Sequence, residues 1–159
     1  DLTLLAPAQL PAPAYDVTVQ AELLSADKKK VLATAYAPVR RLPVKQLLVV
    51  QLAAPRVEAL LDAKKGATVK VMGKVERREN LKADVALTLT GLPAGLKADA
   101  LTLKGNTADF ALNVVIPPGS PAGDFKGLKL SASAVPDPKQ PNQRVSSRAV
   151  DVQLVIKSP

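Results

Sequence analysis

Residues 109–134 have the sequence DFALNVVIPPGSPAGDFKGLKLSASA. Aliphatic residues alternate with other residues in two runs of this stretch, Phe110–Ile116 and Leu128–Ala134, and a segment rich in Pro and Gly separates the runs. Alternation with a period of two is typical of a β-strand with one buried face, and clustered Pro and Gly mark a turn. The stretch therefore predicts two half-buried strands of antiparallel sheets, joined through a turn at Pro117–Gly123.

The same alternation recurs on both sides of this stretch. Further turn signals stand at 91–95 (GLPAG), 104–106 (KGN) and 136–142 (PDPKQPN). Residues 57–65 (VEALLDAKK) have a helix-like composition, but we expect an opening strand with a kink there. Short strands punctuated by Gly and Pro predict an all-β sandwich or barrel. The other predicted strands are Val69–Val75, Val85–Leu89, Leu101–Leu103 and Val150–Ile156.

The composition limits what such a fold can do. Ala, Leu and Val supply 68 of the 75 hydrophobic residues in the chain of 159, so the predicted core is aliphatic. The sequence has no Cys, His or Trp, which excludes disulfides, thiol nucleophiles, zinc sites built on Cys or His, and imidazole acid–base chemistry. No apolar run approaches the length of about 18 residues that a membrane helix needs, so we expect the chain not to span a membrane.

An internal repeat indicates how the chain is organised. Residues 2–15 (LTLLAPAQLPAPAY) align with residues 112–125 (LNVVIPPGSPAGDF), each position in the second copy being numbered 110 higher. After one inserted residue, Val17, Val19 and Ala21 align with Leu128, Leu130 and Ala132. At the end of each copy, Leu48–Leu52 matches Val150–Leu154 at an offset of 102. A period of about 100 to 110 residues is the size of one immunoglobulin-type sandwich.

The repeat predicts tandem immunoglobulin-like β-sandwiches, one complete and one represented by its C-terminal half. Residues 1–54 would be that half, and residues 55–159 the complete sandwich. The half would expose an apolar face built from Val17, Val19 and Leu48–Leu52. We expect this face to be covered, either by upstream chain of a longer protein or by strands from another copy.

Five sequence segments resemble bacterial immunoglobulin-like modules. Residues 67–156 are similar to the NEW3/CARDB group, found beside glycosidase and peptidase domains, and to repeats in large Ala- and Pro-rich surface proteins of planctomycete-type bacteria. The resemblance implies an accessory or spacer module without catalytic residues, secreted or at the cell surface. The segments are ATVKVMGKVERR, DVALTLTGLPAGL, ADFALNVVIPPGSPAGDF, GLKLSASA and RAVDVQLVI.

The carboxylate and aromatic residues also indicate a module without catalytic activity. Nearly all of the 14 carboxylates have a basic neighbour in sequence, and no two share a motif that would place them in one cleft. Tyr15 and Phe125, at equivalent repeat positions, are expected to pack in cores. We therefore predict no enzyme activity, no catalytic, cofactor-binding or metal-binding residue, and no cofactor. Five aspartates near predicted turns lack any calcium-loop spacing: Asp84, Asp99, Asp109, Asp124 and Asp137.

The net charge of +8 is spread along the chain, and only four aromatic residues are available for stacking. We expect no specific nucleic-acid binding, although the charge allows contact with an anionic surface. The predicted role is a spacer or assembly segment of a larger exported bacterial protein, with neighbouring immunoglobulin-like repeats as partners in cis or in trans. Two alternatives stay open. One is a carbohydrate-binding accessory module in which loops at one end of the sandwich, Pro117–Gly123 and Pro136–Asn142, contact a polysaccharide. The other is a filament subunit completed by strands of a neighbouring copy.

Overall fold

The structure is a computed structural model, and it describes residues 14–158. These residues contain fourteen β-strands and no helix, so they include no helical segment able to cross a membrane. The chain divides into two compact units, the first ending at Lys45 and the second beginning at Gln46. The all-β prediction is therefore confirmed, and the two units are described separately below.

The first unit is a long antiparallel hairpin. Its outgoing strand β2 pairs with β3, and β1 pairs with β4, so the chain runs out through β1 and β2 and returns through β3 and β4. The hairpin turns at residues 25–30, where Lys28 has a φ of 57°. None of its strand residues is buried. The strands are β1 (Ala14–Val17), β2 (Gln20–Leu24), β3 (Val31–Tyr36) and β4 (Arg40–Pro43).

The second unit is an immunoglobulin-like β-sandwich of two sheets. One sheet has the strand order β5-β7-β11-β9, and the other has the order β10-β8-β12-β14-β6, with the short β13 paired to β12. Every pairing is antiparallel except that of β6 with β14, which is parallel. The strands are β5 (Leu48–Leu52), β6 (Arg56–Leu60), β7 (Ala67–Arg77), β8 (Val85–Thr90), β9 (Lys97–Ala98), β10 (Leu101–Leu103), β11 (Asp109–Ile116), β12 (Gly123–Ala134), β13 (Val145–Ser146) and β14 (Val150–Lys157).

The core of the sandwich is aliphatic, as the composition predicts. Leu112, Val114 and Ile116 point inward from β11, each 1% exposed. Leu128 and Leu130 point inward from β12 and are 1% and 0% exposed. The inward and outward positions predicted from the alternation of both strands are thereby confirmed. Residues 56–60 form a strand rather than a helix, and a turn closed by the Asp62–Gly66 bridge follows it, which confirms the predicted kinked strand.

The predicted boundary between residues 54 and 55 is wrong. Leu48 and Val50 are 0% and 5% exposed in the core of the second unit, because β5 pairs with β7 from Leu48↔Arg77 to Leu52↔Gly73. Residues 53–55 do not link two domains; they carry the first strand of the sandwich from one sheet to the other. The Ala53 N–H donates to the Met72 carbonyl, and the Pro55 carbonyl accepts from the Gln153 N–H, at 2.9 and 2.8 Å.

The match of Leu48–Leu52 to Val150–Leu154 is also wrong as a repeat. Both segments lie in the same sandwich, β5 in the four-stranded sheet and β14 in the other. Alternation identifies a strand and its buried face, but two central aliphatic strands of one core have the same pattern whichever sheet they join. Leu48–Leu52 therefore do not belong to the predicted exposed apolar face. Val19, at 44% exposure, is on the surface as expected. Residues 2–13 of the other repeat match lie outside the described residues.

The register of β11 generates a test of the core. The Val114→Asp variant places an unpaired carboxylate in a site that is 1% exposed, and we expect it to lower the free energy of unfolding by at least about 4 kcal/mol. The adjacent Val115, 41% exposed and paired with Lys97 in β9, points outward. Val115→Asp should therefore cost less than about 1 kcal/mol. Urea unfolding of both variants measures this, and equal losses would contradict the register.

Two glycines with the same backbone conformation test the turn after β6. Gly66 and Gly119 have φ values of 73° and 79°. A Cβ on Gly66 would overlap the Ile116 carbonyl oxygen, whereas a Cβ on Gly119 meets nothing within 4 Å. Gly119→Ala should cost about 1 to 2 kcal/mol from its backbone conformation alone. Gly66→Ala should cost clearly more, because it adds a steric overlap. Thermal unfolding compares them, and similar losses would argue against the close backbone approach at Gly66.

Candidate functional site

A pocket of about 670 Å³ opens at one end of the sandwich, where β7 crosses to β8 and where the loop after β12 begins. It is the candidate site among the described residues. Its lining is mostly aliphatic, with polar groups contributed by the β7–β8 connection. The lining residues are Leu47, Glu79, Asn80, Leu81, Lys82, Ala83, Asp84, Val135, Pro136 and Pro138.

The pocket wall is shaped by an unusual turn. Glu79 and Asn80 have φ values of 53° and 58°, a left-handed conformation that asparagine tolerates better than most residues. The turn is held by backbone hydrogen bonds: the Arg78 N–H donates to the Leu47 carbonyl at 2.9 Å, and the Leu81 N–H donates to the Arg78 carbonyl at 3.1 Å. These bonds fix the backbone from which the Leu81 and Lys82 side chains extend.

Asp84 is the pocket carboxylate whose partners are best defined. Its side chain accepts a hydrogen bond from Lys104 Nζ at 2.6 Å and another from the Gly105 N–H at 3.3 Å. The hydrogen bond from Lys104 lowers the pKa of the Asp84 carboxyl below its ordinary value, with a smaller contribution from Gly105. A general acid needs a raised pKa, so the arrangement holds Asp84 as a structural anion rather than as a proton donor.

The loop on the other side of the pocket is ordered by its own aspartate. Asp137 Oδ1 accepts from the Lys139 N–H at 2.9 Å, and the Asp137 carbonyl accepts from the Gln140 N–H at 2.9 Å. No aromatic side chain lines the pocket. The site therefore offers a shallow aliphatic surface with charged groups beside it, and it lacks the stacking platform on which sugar rings usually rest.

The two loops named in the carbohydrate hypothesis do not lie together. Residues 117–122 precede β12, and residues 135–144 follow it, so they occupy opposite ends of a twelve-residue strand. A strand of that length spans about 40 Å. The expectation of a shared loop surface at one end is therefore wrong, because the loops bracket a single strand.

The aspartates that the sequence places near turns lie at separate positions in the sandwich. Asp99 accepts from Asn113 Nδ2 at 3.2 Å, Asp109 pairs with Lys74 at 3.6 Å, and both oxygens of Asp124 contact Gln153 Nε2. Across residues 14–158 no three carboxylates come together in a way that could hold a metal ion. Phe125 packs partly buried against the core, as predicted, while Tyr15 is half-buried in the hairpin opposite Leu42.

The pocket itself was not predicted from the sequence. Its walls come from residue 47, residues 79–84 and residues 135–138, which are brought together only by the pairing of β5 with β7 and of β12 with β8. The sequence signal nearest to it is the polar run ERREN at 76–80, which ends β7.

Solved structures include one that is similar to this chain. No protein-family profile matches the chain, and no curated protein matches it. The chain is similar in structure to WR4, a C. elegans MSP family member, with 11% sequence identity and a TM-score of 0.43. The similarity covers 71% of this chain and all of WR4.

The surface carboxylates predict how stability depends on pH. Hydrogen bonds lower the pKa values of Glu58, Asp62, Glu76 and Asp84, mainly through Lys157, Lys65, Arg78 and Lys104 respectively. Because each folded-state pKa lies below the unfolded one, these groups stabilise the fold above the ordinary values of 3.8 and 4.5, and the contribution is lost as the pH falls through the folded values.

We expect the melting temperature to be steady near neutral pH and to fall as the pH drops below about 4.5. Asp62→Asn should lose part of this dependence, since Asp62 Oδ1 accepts the N–H groups of Lys64 and Lys65 at 2.8 and 2.9 Å. Calorimetry in buffers from about pH 6 to about pH 2 measures the slope. A slope that Asp62→Asn leaves unchanged would show that this turn does not contribute.

Proposed function

We propose that this chain is a non-catalytic structural segment of a larger exported or cell-surface bacterial protein, in which the sandwich connects and spaces neighbouring immunoglobulin-like modules. The partners of such a segment are the adjoining repeats, in cis or in trans. The observation that carries the proposal is the path of the chain through the second unit.

The chain enters and leaves the sandwich at opposite ends. Leu48, where β5 begins, pairs with Arg77 at the end of β7. The last rung of β14 pairs Lys157 with Leu60, at the end of β6, and the turn after β6 leads into Ala67 at the start of β7. Entry and exit are therefore separated by the length of β7, eleven residues or about 35 Å. An end-to-end path of this kind suits modules arranged in a line.

The same path determines how tension would act on the sandwich. β6 and β14 run parallel through five registered pairs, from Arg56↔Gln153 to Leu60↔Lys157. A pull on the entry side draws β6 in one direction, and a pull on the exit side draws β14 in the other. The ladder is then sheared, and its hydrogen bonds must break together rather than one after another. This arrangement supports a role in which the module transmits tension.

The ion pairs formed by surface carboxylates support the non-catalytic role that we propose. Glu58 binds Lys157 and Arg56, Glu76 binds Arg78, and Asp151 binds Lys129. All of these pairs are on the surface, where ion pairs contribute little to stability but keep a sandwich soluble and polar outside. The carbohydrate-binding alternative gains no support, because its loops lie at opposite ends of β12 and the pocket lacks aromatic residues.

Single-molecule stretching tests the proposal. Cysteines introduced by Gln46→Cys and Ser158→Cys give unique attachment points, since the natural chain has none. We expect the second unit to unfold in one cooperative event. A gradual extension at low force, with strands peeling away in sequence, would overturn the proposed role.

A pair of proline variants tests whether the β6–β14 ladder resists the applied force. The Gln153 N–H donates to the Pro55 carbonyl, and the Leu61 N–H donates to the Lys157 carbonyl. The backbone polar groups of successive residues in a strand point to opposite sides, so the Ala59 N–H points toward β14 and the Glu58 N–H points away from it. Ala59→Pro removes one rung and should lower the unfolding force, whereas Glu58→Pro should lower it less. Circular dichroism before stretching establishes that each variant is folded. Equal forces for both would show that the ladder does not set the resistance.

A further inference from the structure

The connection between β10 and β11 carries the chain from one sheet of the second unit to the other. β10 lies beside β8, whereas β11 lies beside β7 in the four-stranded sheet. The connection, residues 104–108, is closed by a hydrogen bond from the Thr107 N–H to the Lys104 carbonyl at 3.0 Å. Its Ala108 carbonyl accepts from the Val75 N–H, near the end of β7. The connection therefore lies at the end of the sandwich where the chain enters through β5.

Arg77, the last residue of β7, binds both ends of this connection. Its Nη1 donates to the Thr107 carbonyl at 2.6 Å, and its Nη2 donates to the Leu103 carbonyl at 3.3 Å. Because Leu103 is the last residue of β10, one planar guanidinium group spans the connection. Arg77 thus joins the end of β7 directly to a strand of the opposite sheet.

Asp84 binds the same connection from the residue before β8. Its carboxylate accepts from Lys104 Nζ at 2.6 Å and from the Gly105 N–H at 3.3 Å. The connection is therefore held at its carbonyls by a cation and at its donor groups by an anion. Asp84 acts as a positioning residue, since it keeps the two carbonyls within reach of Arg77.

The surroundings of Arg77 limit what it contributes to stability. Its Nε is buried without a hydrogen-bond partner, and Nη1 and Nη2 donate to main-chain carbonyls rather than to a carboxylate. Withdrawing part of a guanidinium group from water costs free energy, which offsets the contribution of the two hydrogen bonds. We expect the net effect of Arg77 on the free energy of unfolding to be small, so stability alone does not explain its position.

Tension on the sandwich enters at the same place. A pull on the entry side first draws Leu47, whose carbonyl accepts from the Arg78 N–H at 2.9 Å. It then draws β5, whose first rung pairs Leu48 with Arg77. The end of β7 is therefore loaded early. We propose that Arg77 is a load-sharing residue, whose guanidinium group passes tension from β7 to the β10–β11 connection and so to both sheets. This inference rests on the proposed structural role and assigns part of it to one residue.

The two hydrogen bonds of Arg77 act differently at rest and under load. A hydrogen bond weakens steeply as its geometry is distorted. Under tension these bonds must break while the buried Nε is still withdrawn from water, so their full strength adds to the barrier. At equilibrium, hydration of Arg77 in the unfolded chain compensates for their loss. Arg77 should therefore slow unfolding under force by more than it stabilises the resting fold.

Constant-force stretching of the full chain, attached through Gln46→Cys and Ser158→Cys, tests this inference. Arg77→Met keeps an unbranched stem and removes the guanidinium group. We expect its unfolding rate at constant force to rise at least about tenfold. Its equilibrium constant for unfolding in urea should change less than about threefold. Arg78→Met is the matched control, because the Arg78 guanidinium binds only two positions away, at Glu76, and its loss should leave the rate unchanged.

A second variant covers the case in which Arg77→Met does not fold, which circular dichroism establishes. Arg77→Lys keeps the charge and most of the stem but lacks the planar fork that spans the two carbonyls, so its unfolding rate under force should also rise. A rate equal to that of the natural chain would overturn the inference. An equal rise in the rate and in the equilibrium constant would overturn it too, because Arg77 would then be a stabilising residue only.

The same recordings separate this inference from the proposed function. A natural chain that extends gradually at low force contradicts the structural role itself. A natural chain that unfolds in one cooperative event, at the same rate as Arg77→Met, contradicts only the load-sharing role of Arg77.

Discussion

Contact between the aliphatic inner faces of two sheets holds the second unit together. The chain has no cysteine for a disulfide and four aromatic residues in all, so the stabilising contribution comes from burial of Leu, Val, Ile and Ala side chains. Residues such as Leu112 and Leu130, 1% and 0% exposed, show how completely this burial is achieved. The outer faces are then free to carry the Lys, Asp, Ser and Thr residues that keep the sandwich apart from other surfaces.

The sequence predicts the strands of this sandwich better than their partners. The alternation in β7, β8, β11, β12 and β14 identifies each strand and its inward face, because a two-residue period follows directly from the pleat. The position of β5 could not be found in the same way. Its pattern, LVVQL, resembles VDVQL in β14, and only long-range pairing with β7 shows that the sandwich begins at β5. The switch of sheets at residues 53–55 has no counterpart in the alternation.

The candidate site was less predictable than the fold. Its backbone conformation depends on Glu79 and Asn80, and its walls come from segments more than thirty residues apart, so no local motif marks it. Glu76 pairs with the nearby Arg78, whereas Asp84 pairs with Lys104, which is 20 positions away and cannot be recognised as its partner from sequence proximity. For the hairpin, the repeat indicated correctly that Val19 is exposed, but it assigned the return strand to Leu48–Leu52 instead of Val31–Pro43.

The parallel pairing of β6 with β14 has a consequence for biosynthesis. Arg56 and Gln153 form its first rung although about 100 positions separate them in the chain. During translation β6 therefore emerges long before its partner, and the sheet edge beside it stays open until the last strand has left the ribosome. Closing so long a loop late slows folding and leaves time for contact with a nascent neighbour. In a series of similar modules, low sequence identity between adjacent copies would protect against exchange of this final strand.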